Sequence, residues 1–201
     1  MKIRITAPES IHATIQLPSS KSISNRVLIM NALANSNHQP ENLSDCDDTQ
    51  VMIRALQAQP DETIDIMAAG TAMRFLTAYF SVTPGTRTIT GTERMKQRPI
   101  GILVDALREL GADIEYVENE GFPPLRITGK TLSGSHITLP GNVSSQYISA
   151  LLMIGPKLEN GLNITLTGTI ISLPYINMTL QLMADFGAKA TWVNDHELRV
   201  E

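Results

Sequence analysis

Three stretches of this chain repeat one plan, and that repetition limits the folds open to it. Each has a short apolar run, a turn of small polar residues and an apolar run of helix length. They are Ile15–Leu33 (IQLPSSKSISNRVLIMNAL), Ile64–Phe80 (IDIMAAGTAMRFLTAYF) and Ile137–Gly155 (ITLPGNVSSQYISALLMIG). The first and third align closely, each led by Leu-Pro, with Ser22 and Ser144 at equivalent places. Strand, turn and helix in each copy is the reading that the periodicity supports.

A second set of helices lies between these segments. Arg98–Leu110 places Ile100, Leu103, Val104, Leu107 and Leu110 on one face, with Pro99 in its first turn and Gly111 as its stop. Leu173–Phe186 repeats that plan, with Pro174 near its start and Gly187 at its end. Asp47–Gln57 is a looser copy, with Asp47 or Asp48 as the expected N-cap. Short β-branched runs fill the gaps: Arg87–Thr90, Ile114–Val117, Leu125–Thr128, Leu162–Leu166 and Leu198–Val200. The sum predicts an α/β domain of three pseudo-symmetric βαβαββ units. A repeat of about 75 residues is too large for a solenoid and points to a closed arrangement.

Composition excludes several classes of function. Only 4% of residues are aromatic, so the core is aliphatic. A net charge of -4 argues against a nucleic-acid-coating surface but leaves room for a small basic pocket. Cys46 is the only cysteine, which rules out an internal disulfide and a cysteine-based zinc site. His12, His38, His136 and His196 show no ligand spacing, and neither metal nor cofactor is expected. The N-terminus MKIRITAPES has no apolar signal region, and no stretch has the length of a membrane span. The chain reads as cytoplasmic, with no membrane and no nucleic-acid partner.

The chemistry sits in the turns. Pro18–Arg26 (PSSKSISNR) leads straight into a helix, whose start exposes unpaired N–H groups and a partial positive charge. Lys21 adds a mobile point charge and Arg26 a planar fork suited to carboxylate or phosphate. Ala69–Arg74 repeats the geometry: Gly70 lets a ligand approach the backbone, and Thr71 is a possible cap. Asn142–Gln146 makes a third such start, and Thr92–Pro99 concentrates Arg94, Lys96 and Arg98 just ahead of another helix. Ser172 and Tyr175 open the last helix. Singly, each turn reads equally well as a capped helix or a solvated loop. Together, on repeated units, they point to a cleft that binds a small, multiply anionic ligand without naming a reaction.

These turns resemble the enolpyruvyl transferases, and among them the 5-enolpyruvylshikimate-3-phosphate synthases. The resemblance rests on LPSSKSISNR, SDCDDTQVM, AGTAMR, GTERMKQRPIG, LVDALRELGA, PPLRI, VSSQYISALLM and SLPYINMTLQLM, which occur in the family's order. It implies half of an inside-out α/β barrel. Residues 17–201 are then a shikimate-3-phosphate-binding domain, and the second domain is absent from this chain. Residues 1–16 are a strand segment that belongs to the second domain in full-length relatives, and here it is expected to be mobile or to borrow another contact. The implied reaction moves the enolpyruvyl group of phosphoenolpyruvate to the 5-hydroxyl of shikimate 3-phosphate with release of phosphate.

By motif match, Lys21, Ser22, Arg26, Ser144, Ser145, Gln146, Ser172 and Tyr175 hold shikimate 3-phosphate. Lys21, Gly70, Arg98 and Gln146 touch phosphoenolpyruvate, Lys21 also assists proton transfer, and Arg74 and Asp47 stand behind them. Three positions depart from the family pattern: Ala68 replaces an Asn, Phe75 a Pro and Leu173 a Lys. The family's acid/base carboxylates come from the second domain, so this chain is expected to bind weakly and to catalyse nothing. The related transferase acting on UDP-N-acetylglucosamine commonly carries a cysteine in the loop matching Thr92–Pro99, and none occurs there. A non-catalytic anion-binding module is the remaining alternative.

Overall fold

A computed structural model of the chain describes residues 3, 4 and 6–201. Two units of identical topology make up most of it. The first runs β1 (Thr63–Asp65), α3 (Gly70–Ser81), β2 (Gly85–Thr90), the short α4 (Glu93–Lys96), α5 (Gly101–Glu109), β3 (Asp113–Tyr116) and β4 (Leu125–Gly129). Its strands lie in the order β1-β2-β4-β3, with β1 and β2 parallel and the other two pairings antiparallel. The next runs β5 (His136–Pro140), α6 (Ser145–Ile154), β6 (Leu162–Thr167), α7 (Leu173–Asp185), β7 (Ala190–Asn194) and β8 (Glu197–Val200), with the matching order β5-β6-β8-β7. The internal repeat read from the sequence is therefore a repeat of sheet topology.

Helices α3 and α6 are apolar on nearly every side and lie at the centre of the molecule, packed on each other. Phe75, Leu76, Ile148, Leu151 and Leu152 are fully enclosed there. Each remaining helix buries one stripe: α5 presents Leu103, Val104 and Leu107, and α7 presents Ile176 and Met183. The strands alternate, so that Ile137 and Leu139, or Ile164 and Leu166, face the helices. Gly111 and Gly187 follow α5 and α7 with φ of 102° and 81°, the left-handed turn that stops a helix.

Four expectations are corrected. The first unit has its two helices, α1 (Lys21–Leu33) and α2 (Asp47–Leu56), but no strand among the described residues. Leu139-Pro140 lies in β5 because β6 pairs with it, whereas Leu17-Pro18 has no such neighbour. The stretch after α1, SNHQPEN, is wholly polar apart from Pro40, is broken by the turn formers Ser36, Asn37, Pro40 and Asn42, and supplies none. Where the strand expected over 1–16 falls on Met1, Lys2 and Ile5, it lies outside the described residues. The N-cap of α2 is Cys46, with Asp47 and Asp48 inside the first turn, where carboxylates favour the helix dipole. Helix α5 begins at Gly101 with Ile100 as its cap, so Pro99 precedes the helix. Strand β7 was not expected; ATWVN follows Gly187 too closely for its alternation to stand out.

Candidate anion-binding site

The first turns of the helices gather at one end of the molecule. Gln146 Nε2, in the first turn of α6, donates to Thr71 Oγ1, in the first turn of α3, at 3.1 Å. Lys21 Nζ, opening α1, lies 3.1 Å from Asp48 Oδ2 in the first turn of α2. The segment before α5 reaches α3 and α6 through the Pro99 carbonyl, which accepts from Arg74 at 2.9 Å and from Tyr147 Oη at 2.8 Å. Tyr175, in the first turn of α7, places its ring 5.9 Å from the Arg26 guanidinium of α1. Six helix N-termini thus share one end, each with N–H groups that have no partner within the helix.

Caps fix the turns. Ser20 Oγ accepts from Ile23 N at 3.4 Å, and Ser144 Oγ from Gln146 N at 3.3 Å. Thr71 does not cap α3: Ala69 stands at the cap position, and the Thr71 hydroxyl serves Gln146 instead. Ser172 takes a left-handed conformation, φ 56°, before α7, and its hydroxyl makes no cap bond.

Three cations define the electrostatics. Arg26 is 2% exposed and wedged among four helices. Its Nε donates to Thr179 at 2.7 Å, one terminal nitrogen to Ser149 at 2.9 Å and the other to the Ser22 carbonyl at 2.9 Å. The Phe75 ring lies 5.2 Å from it, so Phe75, where the family pattern has Pro, has a packing role against this cation. Burial pushes the Arg26 guanidinium down to about 10, which still leaves it charged at neutral pH. Arg74 is also buried; it donates to Gly70 O at 3.3 Å as well as to Pro99. Burial lowers its pKa most; Tyr147 beside it acts against that, and the nearby charge of Arg98 adds a smaller lowering.

Arg98 differs from both. It is exposed, and among the described residues its guanidinium has no hydrogen bond and no ion pair. It lies against Gly70, where a β-carbon would stand 2.8 Å from Cζ. Among the described residues neither Arg26 nor Arg74 has a carboxylate partner, so two enclosed positive charges and one free one sit beside converging helix starts. That arrangement attracts an anion with more than one charge.

The remaining sequence-derived positions fall around this centre. Ser22 and Gln146 are half-buried, Ser145 is buried, and Ser144, Ser172, Leu173 and Tyr175 are exposed at the mouth. Asp47 and Ala68 line an adjoining cavity of about 470 Å³ together with Asp48, Arg54, Met67 and Thr92. Met67 has a φ of 55° and is held by Asp65, whose Oδ1 accepts from its N–H at 2.7 Å. Sequence reasoning did not single out Tyr147, Ser149 or Thr179, although a hydroxyl inside an apolar helical run was the available signal. Among the described residues no cluster of His, Cys, Asp and Glu is arranged to hold a metal, and no helix is long and apolar enough to cross a membrane.

A family model described as EPSP synthase (3-phosphoshikimate 1-carboxyvinyltransferase) matches residues 5–59 and 55–201. A 3-phosphoshikimate 1-carboxyvinyltransferase from Bacteroides fragilis is 70% identical over 201 residues, covering 100% of this chain and 49% of the relative. One from Haemophilus influenzae is 43% identical over 216 aligned positions, covering 94% of this chain and 50% of the relative. The chain spans about half the length of the curated relatives it matches. An EPSP synthase structure from Acinetobacter baumannii superposes with a TM-score of 0.77 over 92% of this chain and 46% of its own, at 20% identity, which speaks for the fold. With the family's motifs in order and the fold matched, the chain belongs to the EPSP synthase family.

Proposed function

We propose that this chain is the acceptor-holding part of an enzyme that transfers the enolpyruvyl group of phosphoenolpyruvate to shikimate 3-phosphate. The observation that carries the reading is the convergence of six helix starts over buried Arg26 and Arg74, with the Arg98 guanidinium left free. Both substrates are anions, which is the charge that such an arrangement attracts.

In this reading Ser144 and Ser145 donate to the 3-phosphate at the start of α6, and Tyr175 and Ser172 flank the ring on the α7 side. Arg26 faces the ring from below, while Gln146 bridges toward the second substrate. Arg98 and Lys21 receive phosphoenolpyruvate over Gly70, with Arg74 and Asp47 behind them. Lys21 exchanges its Asp48 partner for the substrate as the anion arrives.

The chemistry forms a bond from the 5-hydroxyl oxygen, which gives up its proton, to C2 of phosphoenolpyruvate while C3 takes a proton. Breaking the C2–phosphate bond with loss of a C3 proton then restores the C2=C3 double bond as the enolpyruvyl ether. In this reading the carboxylates that move these protons belong to a second domain. Residues 1–16 are read as that domain's strand: Ile3, Ile11 and Ile15 are 73–78% exposed in this chain and have an apolar face to offer it. A phosphate-release assay tests this. The chain with both substrates is expected to release none, and addition of the complementary half is expected to start release. Turnover by this chain alone, or none by the two halves assembled, would overturn the reading.

A further inference from the structure

Tyr147 lies one residue beyond Gln146 in α6 and is 8% exposed. Its ring packs 5.9 Å from the Arg74 guanidinium, a place that a phenylalanine would fill equally well. Among the described residues the hydroxyl donates its proton to the carbonyl of Pro99, at 2.8 Å. That oxygen already accepts from Arg74 at 2.9 Å, so Tyr147 is not needed to prevent an unsatisfied carbonyl. What the second donor adds is direction. Arg74 reaches Pro99 from α3 and Tyr147 reaches it from α6, and two donors on two helices fix the plane of one peptide.

The residues on either side are tied as well. Arg98 N donates to Met95 O at 3.0 Å, and Ile100 N donates to Gly121 O at 2.9 Å. The backbone that carries Arg98 is thereby held on both sides, and its side chain alone stays free, lying over Gly70. We propose that Tyr147 is a positioning residue that acts through the Pro99 carbonyl to aim the Arg98 guanidinium at the anion. The inference rests on the proposed function, because it takes Arg98 to be a substrate-binding cation.

The test is a double-mutant cycle read by calorimetry. Phosphoenolpyruvate is titrated into the chain saturated with shikimate 3-phosphate, using the parent, Tyr147→Phe, Arg98→Ala and the double variant. Loss of one orienting hydrogen bond is expected to weaken phosphoenolpyruvate about tenfold in Tyr147→Phe. Shikimate 3-phosphate affinity and the melting temperature are expected to stay at parent values. The double variant is expected to match Arg98→Ala, because a residue acting through Arg98 has nothing to act on once Arg98 is gone. Parent affinity in Tyr147→Phe, or a full additional loss in the double variant, overturns the inference while leaving the function intact. Parent affinity in Arg98→Ala overturns the proposed site, and the inference with it.

If this chain gives no phosphoenolpyruvate heat, amide hydrogen exchange in the ligand-free chain decides the matter. Tyr147→Phe is expected to speed exchange at Arg98 and Ile100 about tenfold and to leave the α6 amides at parent rates, again the loss of one hydrogen bond. Unchanged exchange at those two amides overturns the inference.

Discussion

The Arg98 guanidinium occupies the space that a β-carbon at Gly70 would fill, with Cζ 2.8 Å from that position. Gly70 has no need of an unusual backbone angle here; it is the first residue of α3, and its service is the missing side chain. Gly70→Ala is therefore expected to push Arg98 aside without harming the fold, since the clash is with the far end of a flexible side chain. Alanine also favours a helix over glycine by up to about 1 kcal/mol. The expected outcome is a melting temperature at or slightly above the parent's and phosphoenolpyruvate binding at least tenfold weaker, taking one misplaced charged hydrogen bond as the loss. Calorimetry and a thermal melt on one preparation check both halves of the prediction.

Arg26 is a buried cation without a carboxylate, and its three acceptors do not all depend on it. Ser149 and Thr179 also contact each other at 2.9 Å, and Thr179 donates to Tyr175 O at 2.8 Å. Arg26→Met keeps most of the volume and removes the buried charge, so its stability is expected within about 1 kcal/mol of the parent. Arg26→Ala leaves a cavity and is expected to cost about 2–4 kcal/mol. Urea denaturation distinguishes the pair. A Met variant as damaged as the Ala variant would mean that the hydrogen bonds, and not the packing, hold this junction.

Cys46 stands at the N-cap position of α2 without a side-chain cap bond, and its thiol lies 3.4 Å from Thr49 Oγ1. Burial pushes the thiol up, but hydrogen bonds from Ser44 and Thr49 outweigh that and leave it below the ordinary cysteine value. The thiolate is the reactive form, so alkylation by iodoacetamide should gain rate at lower pH than a free thiol does. Its pH–rate midpoint is expected to lie below that of a cysteine peptide and to move up in Thr49→Val. A midpoint at or above the peptide's contradicts the hydrogen-bond account.

Met67 holds a left-handed φ of 55° in the turn before α3, with its side chain about half exposed. A non-glycine residue there carries a strain of about 1 kcal/mol, and Met67→Gly loses little buried surface. The glycine variant is expected to be as stable as the parent or up to about 1 kcal/mol more stable. Destabilisation beyond about 1 kcal/mol would show that the Met67 side chain has a packing role in the adjoining cavity.

The repeated plan of apolar run, polar turn and apolar helix was legible because topology is encoded in period and punctuation. Leu139-Pro140 and Ile64–Asp65 became edge strands with the expected helices behind them. Leu17-Pro18 carries the same letters and forms no strand, because strand formation depends on a neighbour that no single segment announces. The helix starts were visible through Ser20, Ser144 and Pro174. The long-range partnerships were not: the meeting of Arg74 and Tyr147 on Pro99, or of Gln146 and Thr71, joins residues far apart in sequence. Burial of Arg26 was hidden for the same reason, since its surroundings come from four helices.

The measurement that tests the central claim most directly is a calorimetric titration of this chain with shikimate 3-phosphate, alongside Ser144→Ala. The account predicts saturable one-to-one binding by the parent and binding at least tenfold weaker in the variant, the loss expected for one hydrogen bond to a charged phosphate. A folded parent that gives no binding heat, or a Ser144→Ala variant that binds as tightly as the parent, would contradict the placement of the acceptor phosphate at the start of α6.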